Sequence, residues 1–278
     1  MTNFTIDVIS DPVCIWCYIG KKRLDRAIAL YKRTYPGGRD DTFTVNWKAF
    51  YLDATAPVPG IPIVDRLRQK VASSSSSSSS FSSPDGNGDV KDIDAIVAKL
   101  RDRLVSMGRQ EGISVSLRGR IGNTRSAHRA ILFAKRYDHP LTDTPHSTMP
   151  EPKVQNAYVS ALFAAYFEGA IDVTSLWDLA DVAEKVGIDR AEMLAYLESE
   201  GGAQEVDDED REARTKKGLR GVPNFTVQGR EVLDGAQDVE SFLELFVKIK
   251  EAEREGGEVE AEEMGSRAVS LLSNNNKC

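Results

Sequence analysis

Residues 11–33, DPVCIWCYIGKKRLDRAIALYKR, place two cysteines three positions apart at the start of a run of strong helix formers. Apolar residues recur at helical spacing after the cysteines, so the stretch predicts a helix that begins at the pair. Residues 4–9, FTIDVI, alternate in polarity and are rich in β-branched side chains, which predicts a strand. Cys14 and Cys17 are therefore expected where the first strand is followed by the first helix.

The flanking segments extend this pattern at both ends of the chain. Pro and Gly at residues 36–38 end the helix, and residues 43–50, FTVNWKAF, predict a second strand, parallel to the first across the helix. Residues 224–235, NFTVQGREVLDG, predict a hairpin around a Gln-Gly turn. Residues 237–252 predict an amphipathic helix with Asp238 as its N-cap.

The middle of the chain is predicted to be helical. Four stripes of apolar residues with a helical period lie within residues 93–104, 127–134, 158–166 and 176–186. A serine-rich segment near 73–88 and a proline-rich segment near 137–152 predict flexible loops, and residues 200–217 predict a charged helix. The acidic residues 251–278 predict a mobile tail.

Composition excludes several classes of function. The chain has 278 residues, a net charge of −7 and an apolar fraction of 41%, so a large core is expected and a nucleic-acid or anionic-membrane partner is not. No apolar run approaches the ~20 residues of a membrane span. Without a recognisable secretory signal, and with only three cysteines, we expect a cytoplasmic protein, as a monomer or homodimer.

The predicted position of the cysteine pair favours redox chemistry. A thiol attacks as its thiolate, and the free N–H groups and dipole at a helix N-terminus favour negative charge. With Cys14 at the N-cap, its sulfur lies near the amides of Trp16 and Cys17. Cys17, one turn into the helix, is more shielded and can attack a mixed disulfide formed at Cys14.

Two alternatives for the cysteine pair involve no redox chemistry. A zinc site needs two more ligands, and the remaining candidates are not at ligand spacing: Cys278, His128, His139 and His146. We therefore expect no metal site. The other alternative is a pair of small, buried and inert side chains. A second element, Val222-Pro223 directly before a predicted strand, supports the redox interpretation. A cis peptide bond there would make a tight entry into the strand, whereas a trans bond would make an ordinary turn.

Three segments together resemble the DsbA-like branch of the thioredoxin superfamily, and most closely its FrnE-like subgroup. They are DPVCIWCYIGKKRLDRAI (11–28), RIGNTRSAHRAILFA (120–134) and GLRGVPNFTVQGREVLDGAQ (218–237). The resemblance implies an α/β thioredoxin fold interrupted by a large α-helical insertion. It implies a discontinuous thioredoxin-like domain of residues 1–53 and 215–250, an insertion of residues 54–214, and a tail beyond.

The resemblance also implies roles for individual residues. Cys14 matches the nucleophilic cysteine, Cys17 the resolving cysteine and Pro223 the cis-proline that faces them. Val222 offers backbone groups to an extended substrate or to glutathione. The remaining expected substrate contacts are Ile15, Trp16, Asn123 and His128, the last two with helix packing as the alternative role.

The implied activity is thiol–disulfide exchange, in the direction of reduction or isomerisation. Its substrates are protein thiols and disulfides, with glutathione as a possible co-substrate, and no tightly bound cofactor is implied. The first alternative is a glutathione-dependent transferase or isomerase, similar to kappa-class transferases and chromene-carboxylate isomerases, which generally have serine where Cys14 stands. A redox-independent chaperone-like module is the second. FrnE-like sequences also occur beside polyketide pathways, but no small substrate is indicated, and Cys278 has no counterpart in the family.

This sequence has Ile15 where the subgroup usually has proline. Proline carries no N–H, so Ile15 restores a donor near the Cys14 thiolate. We predict that Ile15→Pro shifts the midpoint of the pH-dependent alkylation of Cys14 away from that of the wild type. Rates of alkylation measured across the pH range test this, and superimposable curves would contradict it.

Overall fold

A computed structural model of the protein describes residues 1–76, 93–138 and 154–254. A four-stranded mixed sheet has the order β2-β1-β5-β6. Its strands are β1 (Asn3–Ser10), β2 (Thr42–Ala49), β5 (Asn224–Val227) and β6 (Glu231–Asp234). A separate two-stranded pair, which the sequence did not predict, joins β3 (Ile61–Pro62) to β4 (Arg120–Ile121).

The first half of the sheet follows the sequence pattern closely. Helix α1 (Ile15–Thr34) links β1 to β2, and these strands pair in parallel from Asn3 opposite Thr42 to Ser10 opposite Ala49. Alternate residues of β1 are buried because one face of the strand packs against the core. The predicted strand–helix–strand unit is confirmed. Strand β1 is one residue longer at each end than predicted, and β2 lies one residue nearer the N-terminus.

The C-terminal hairpin is also confirmed. Residues 228–230 join Val227 to its partner Glu231. Gln228 and Gly229 both have positive φ, 52° and 68°, and the Arg230 N–H donates to the Val227 backbone oxygen at 3.2 Å. Residues 239–254 form helix α9, and the Asp238 carboxylate accepts a hydrogen bond from the Ser241 N–H at 2.8 Å. The predicted N-cap of the last helix is therefore correct.

Seven helices occupy the chain between β2 and β5 in the described residues. They are α2 (Ile63–Ser76), α3 (Ile93–Gln110), α4 (Arg125–Ala134), α5 (Val154–Phe167), α6 (Leu176–Glu184), α7 (Arg190–Glu198) and α8 (Ala203–Thr215). The four predicted apolar stripes lie on α3, α4, α5 and α6, and α8 is the predicted charged helix. None of the described helices is long and apolar enough to cross a bilayer.

Two predicted loops begin later than expected. Residues 73–76 continue α2, because adding serines to a helix already nucleated upstream costs little per residue. Residues 137–138 lie in a 3₁₀ turn, where the Asp138 carboxylate accepts the N–H of Gln155. The rest of both predicted loops, and residues 255–278 of the predicted tail, lie outside the described residues.

Sheet and helices share one hydrophobic core. Buried residues of β1, α1, α4, α5, α6 and α9 belong to a single cluster. The edge of β2 is covered by side chains of the helices, since the N–H groups of Trp47 and Ala49 donate to Gln155 and Glu209. These contacts satisfy donors that a sheet edge otherwise leaves unpaired. The domain boundaries given by the resemblance stay a prediction.

Candidate functional site

The cysteine pair lies at the junction of β1 and α1. Cys14 is the N-cap of α1, and its N–H donates to the backbone oxygen of Asp11 at 3.0 Å. The N–H of Cys17 in turn donates to the backbone oxygen of Cys14 at 3.0 Å. Both cysteines are free thiols, Cys14 with 6% and Cys17 with 1% of its surface exposed. The predicted placement at a helix N-terminus is confirmed, and Cys14 is the less shielded of the two.

The two thiols have opposite electrostatic environments. A hydrogen bond from the Cys17 thiol, assisted by the amides of Cys17 and Trp16, lowers the pKa of Cys14 against the effect of burial. Burial raises the pKa of Cys17, and its hydrogen bond to the Cys14 sulfur raises it further. The first proton therefore leaves Cys14, which produces one nucleophile and one protonated neighbour.

Pro223 lies beside the thiol pair, and the Val222–Pro223 bond is cis. The Cys14 thiol donates to the backbone oxygen of Val222 at 3.5 Å. Gly20 allows this close approach of helix and loop, because a Cβ there would lie 3.0 Å from the Phe225 ring and 3.3 Å from Pro223. The sequence did not indicate this role of Gly20.

The residues between the cysteines face different ways. Trp16 is 45% exposed, whereas Ile15 is buried and belongs to the core. A large exposed aromatic side chain next to a reactive thiol offers apolar surface to a bound molecule. Of the two, Trp16 is thus the one positioned to meet a substrate from solvent.

Asp11 is a site residue that the sequence reasoning missed. It is fully buried, and its carboxylate accepts the N–H groups of Val13 at 3.2 Å and Leu52 at 2.7 Å. Burial raises the pKa of the Asp11 carboxyl to about 7, and its negative charge raises the pKa of both Cys14 and Cys17. An acidic residue followed by proline immediately before a helix-starting cysteine was the available signal.

Asn123 and His128 contact the backbone of the segment that follows β2. The Asn123 amide donates to the backbone oxygen of Ala54 at 2.9 Å. His128 is buried with Nε2 3.2 Å from the backbone oxygen of Phe50, and burial lowers the pKa of its imidazole to about 4. Both residues thus fix the segment that follows β2, and a contact of either with substrate stays a prediction.

Thr124, between these two residues in sequence, reaches the site more directly. Its side chain lies close enough to the Asp11 carboxylate to favour the charged form. The insertion therefore contacts the cysteine pair through Thr124 and Asp11. Within the described residues, no group of three or more His, Cys, Asp or Glu side chains could hold a metal ion.

Comparisons with known proteins agree with this geometry. A family model described as the DSBA-like thioredoxin domain matches residues 5–247. A comparison with curated protein sequences found no match. Among solved structures, a protein of Streptomyces coelicolor described as a probable DsbA oxidoreductase has a TM-score of 0.63 and 23% identity, covering 88% of this chain and 89% of that one.

A 2-hydroxychromene-2-carboxylate isomerase has a TM-score of 0.54 and 18% identity, covering 92% of this chain and 98% of that one. Identities this low show a common fold and nothing more. The expected fold class, a thioredoxin fold with a large helical insertion, is confirmed.

The pKa of Asp11 predicts a pH dependence of stability. Because the carboxyl pKa rises from 3.8 in the unfolded chain to about 7 in the folded one, its contribution is fully present below pH 3.8 and is lost as pH rises through 7. We expect the unfolding free energy of the wild type, relative to Asp11→Asn, to fall by up to about 4 kcal/mol between pH 4 and pH 8. Urea unfolding of both proteins under reducing conditions measures this difference.

Asp102→Asn provides the matched control, because Asp102 lies on α3 with a side chain that is 70% exposed. Its unfolding free energy should run parallel to that of the wild type over the same range. Titration of His128 is common to all three proteins and cancels in the differences. A difference between wild type and Asp11→Asn that is constant with pH would contradict the raised pKa.

Proposed function

The chain belongs to the DSBA-like thioredoxin domain family, and from that premise we propose that it catalyses thiol–disulfide exchange through Cys14 and Cys17. One observation carries the proposal. Cys14 caps α1 and Cys17 lies one turn along it, with its N–H donating to the Cys14 backbone oxygen at 3.0 Å. The pKa of Cys14 is lowered and that of Cys17 is raised. A nucleophile and a resolving thiol require this asymmetry.

The reaction follows from the positions of the two sulfurs. The Cys14 thiolate attacks one sulfur of a substrate disulfide, forming a mixed disulfide as the other substrate sulfur leaves as a thiolate. Cys17 then loses its proton and attacks the Cys14 sulfur, which closes the Cys14–Cys17 disulfide and releases the second substrate thiol. A thiol donor returns the pair to the reduced form, so the cycle transfers two electrons to the substrate.

The proposed substrate contacts surround the Cys14 thiol. Trp16 supplies exposed apolar surface, Ile15 shapes the first turn of α1, and Val222 offers its backbone groups next to Pro223. For Asn123 and His128 we propose an indirect contact, through the segment after β2 that each of them holds.

Glutathione is the proposed small-thiol co-substrate. A cavity of about 90 Å³ adjoins the site between Asp11, Val13 and α2, enough for one end of the peptide and not for all of it. Lys70 lines it, and its ammonium suits a carboxylate of a short acidic thiol peptide, while Arg66 pairs with Asp53 beside it. We also propose that the chain belongs to the FrnE-like subgroup and works in the cytoplasm, as a monomer or homodimer. The proposed direction of exchange is reduction or isomerisation of disulfides. Subgroup, setting and direction rest on the sequence motifs and the cysteine count.

We predict that Cys14→Ser abolishes catalysed reduction of insulin disulfides, because serine cannot form the mixed disulfide. Cys17→Ser should instead accumulate that mixed disulfide, visible by mass spectrometry. Cys278→Ser, which removes the thiol farthest along the sequence, is the matched control and should keep the wild-type rate. Circular dichroism checks that each variant folds, and full activity in a folded Cys14→Ser variant would refute the assignment.

A glutathione-dependent isomerase or transferase is the second candidate, favoured by the likeness in fold to the chromene-carboxylate isomerase. Such an enzyme needs a group that stabilises the thiolate of bound glutathione, which serine at position 14 could supply by donating a hydrogen bond. Glutathione conjugation to an aromatic electrophile should therefore persist in a Cys14→Ser, Cys17→Ser double variant if this candidate is right. Loss of all conjugation in that variant favours disulfide exchange.

A further inference from the structure

A shallow groove adjoins the reactive thiol on the side of Pro223. It has a volume of about 370 Å³ and is lined by residues 218–223 together with Asp234 and Gly235, and we name it the Gly221 groove. Val222, whose backbone oxygen accepts the Cys14 thiol at 3.5 Å, is one of its lining residues. Whatever chain is joined to Cys14 in a mixed disulfide therefore has this groove beside it.

Glycine keeps the floor of the groove free of side chains. A Cβ built at Gly218, Gly221 or Gly235 would meet no atom within 4 Å. Gly218 and Gly235 have positive φ, which accounts for glycine at those two positions. Gly221 has no such conformation, so its missing side chain leaves open space in the groove without serving a turn.

Arg220 supplies an uncompensated positive charge at the groove. Two of the cations that precede it have partners, since Arg214 pairs with Asp210 and Lys216 lies 3.7 Å from Glu212, whereas Lys217 makes no ion pair within the described residues. Arg220 is exposed, and within the described part of the chain no carboxylate lies at ion-pair distance from it. On a protein with a net charge of −7, an unpaired cation beside the reactive thiol favours an anionic partner at that place.

Among the described residues that line the Gly221 groove, Asp234 is the acidic one. Its carboxylate accepts a hydrogen bond from the Asn224 amide at 3.3 Å, so part of its charge is directed back into the hairpin.

An extended substrate held by the backbone of Val222 would pass along the Gly221 groove. We propose that Arg220 makes the protein select, among such substrates, those with an acidic residue beside the reacting cysteine. This inference rests on the proposed thiol–disulfide exchange and adds the substrate class. The glycine floor admits the peptide backbone, and Arg220 pairs with the acidic side chain.

The test uses the full chain carrying Cys17→Ala and Cys278→Ser, so that the mixed disulfide persists and every thiopyridone released comes from Cys14. The probes are peptides of one cysteine, activated as a disulfide with 2-thiopyridine and differing only in Glu, Gln or Lys at either neighbour of the cysteine. The Cys14 thiolate attacks the cysteine sulfur of the peptide, one S–S bond forms as another breaks, and thiopyridone leaves with the electron pair and is protonated by water. Its absorbance gives the second-order rate, which is normalised to the reaction of each peptide with 2-mercaptoethanol.

We expect the Glu peptide to react about two- to fivefold faster than the Gln peptide, and the Lys peptide more slowly, since an exposed charge pair contributes this much. The preference should shrink as salt concentration rises. Arg220→Gln should bring the ratio of Glu to Gln rates to about one. An unchanged ratio in Arg220→Gln would overturn the selection by this residue.

Arg33→Gln is the matched control, because it removes the same charge from an exposed position near the other end of α1, about 27 Å along the helix. It should leave the ratio at the wild-type value. Gly221→Ala tests the groove independently, since the added methyl meets no atom of the fold. It should slow all three peptides at least threefold and leave the reaction with oxidised 2-mercaptoethanol unchanged.

The outcomes separate this inference from the function on which it rests. No adduct at Cys14 with any peptide would refute the proposed exchange itself. Adducts that form at equal normalised rates with all three peptides would refute only the selection of acidic substrates. A preference for glutathione disulfide over every peptide, with no rate affected by Gly221→Ala, would show that substrates react without entering the groove and would overturn the inference.

Discussion

A single buried carboxylate organises the end of the sheet where the reactive thiols lie. Asp11 accepts the N–H groups of Val13 and Leu52 through its side chain, and the N–H of Cys14 through its backbone oxygen. Asp11 therefore joins the turn into α1 to the segment after β2. Because no strand or helix supplies an acceptor for the N–H groups of Val13 and Leu52, the Asp11 carboxylate accepts their hydrogen bonds instead.

The same burial couples this junction to protonation. Asp11 has a pKa raised to about 7 and His128 a pKa lowered to about 4, in each case mainly because burial disfavours the charged form. Between those values both side chains are neutral in the folded protein. The contribution of His128 is present above pH 6.5 and is lost as pH falls through 4, the reverse of Asp11. Between about pH 4 and pH 6.5 the two contributions to stability therefore change in opposite directions and largely offset each other, while the interior behind the thiols carries neither charge.

Local patterns were enough to predict most elements of the fold and the centre of the site. Periodicity predicted β1, α1 and the hairpin. Each of them buries one face, so its apolar residues recur with the period of a strand or a helix. The role of Asp11 was not predictable in this way, since its partner Leu52 is distant in sequence and only the fold brings them together. Gly20 was missed for the same reason, because the ring that requires glycine there belongs to Phe225. Residues 73–76 were assigned to a loop from composition, although a helix begun upstream extends through them.

The identity of one atom at position 14 separates the two candidate functions. The helix N-terminus and the Cys17 thiol both favour negative charge at that position. A thiol there has a lowered pKa and can exchange disulfides as its thiolate. A serine hydroxyl is far too weak an acid to ionise and can only donate a hydrogen bond to a bound thiolate. The same fold can therefore exchange disulfides with cysteine there or stabilise the sulfur of glutathione with serine. Because this chain has cysteine at 14 and a second, more deeply buried thiol one turn along α1, its own residues suit the first reaction.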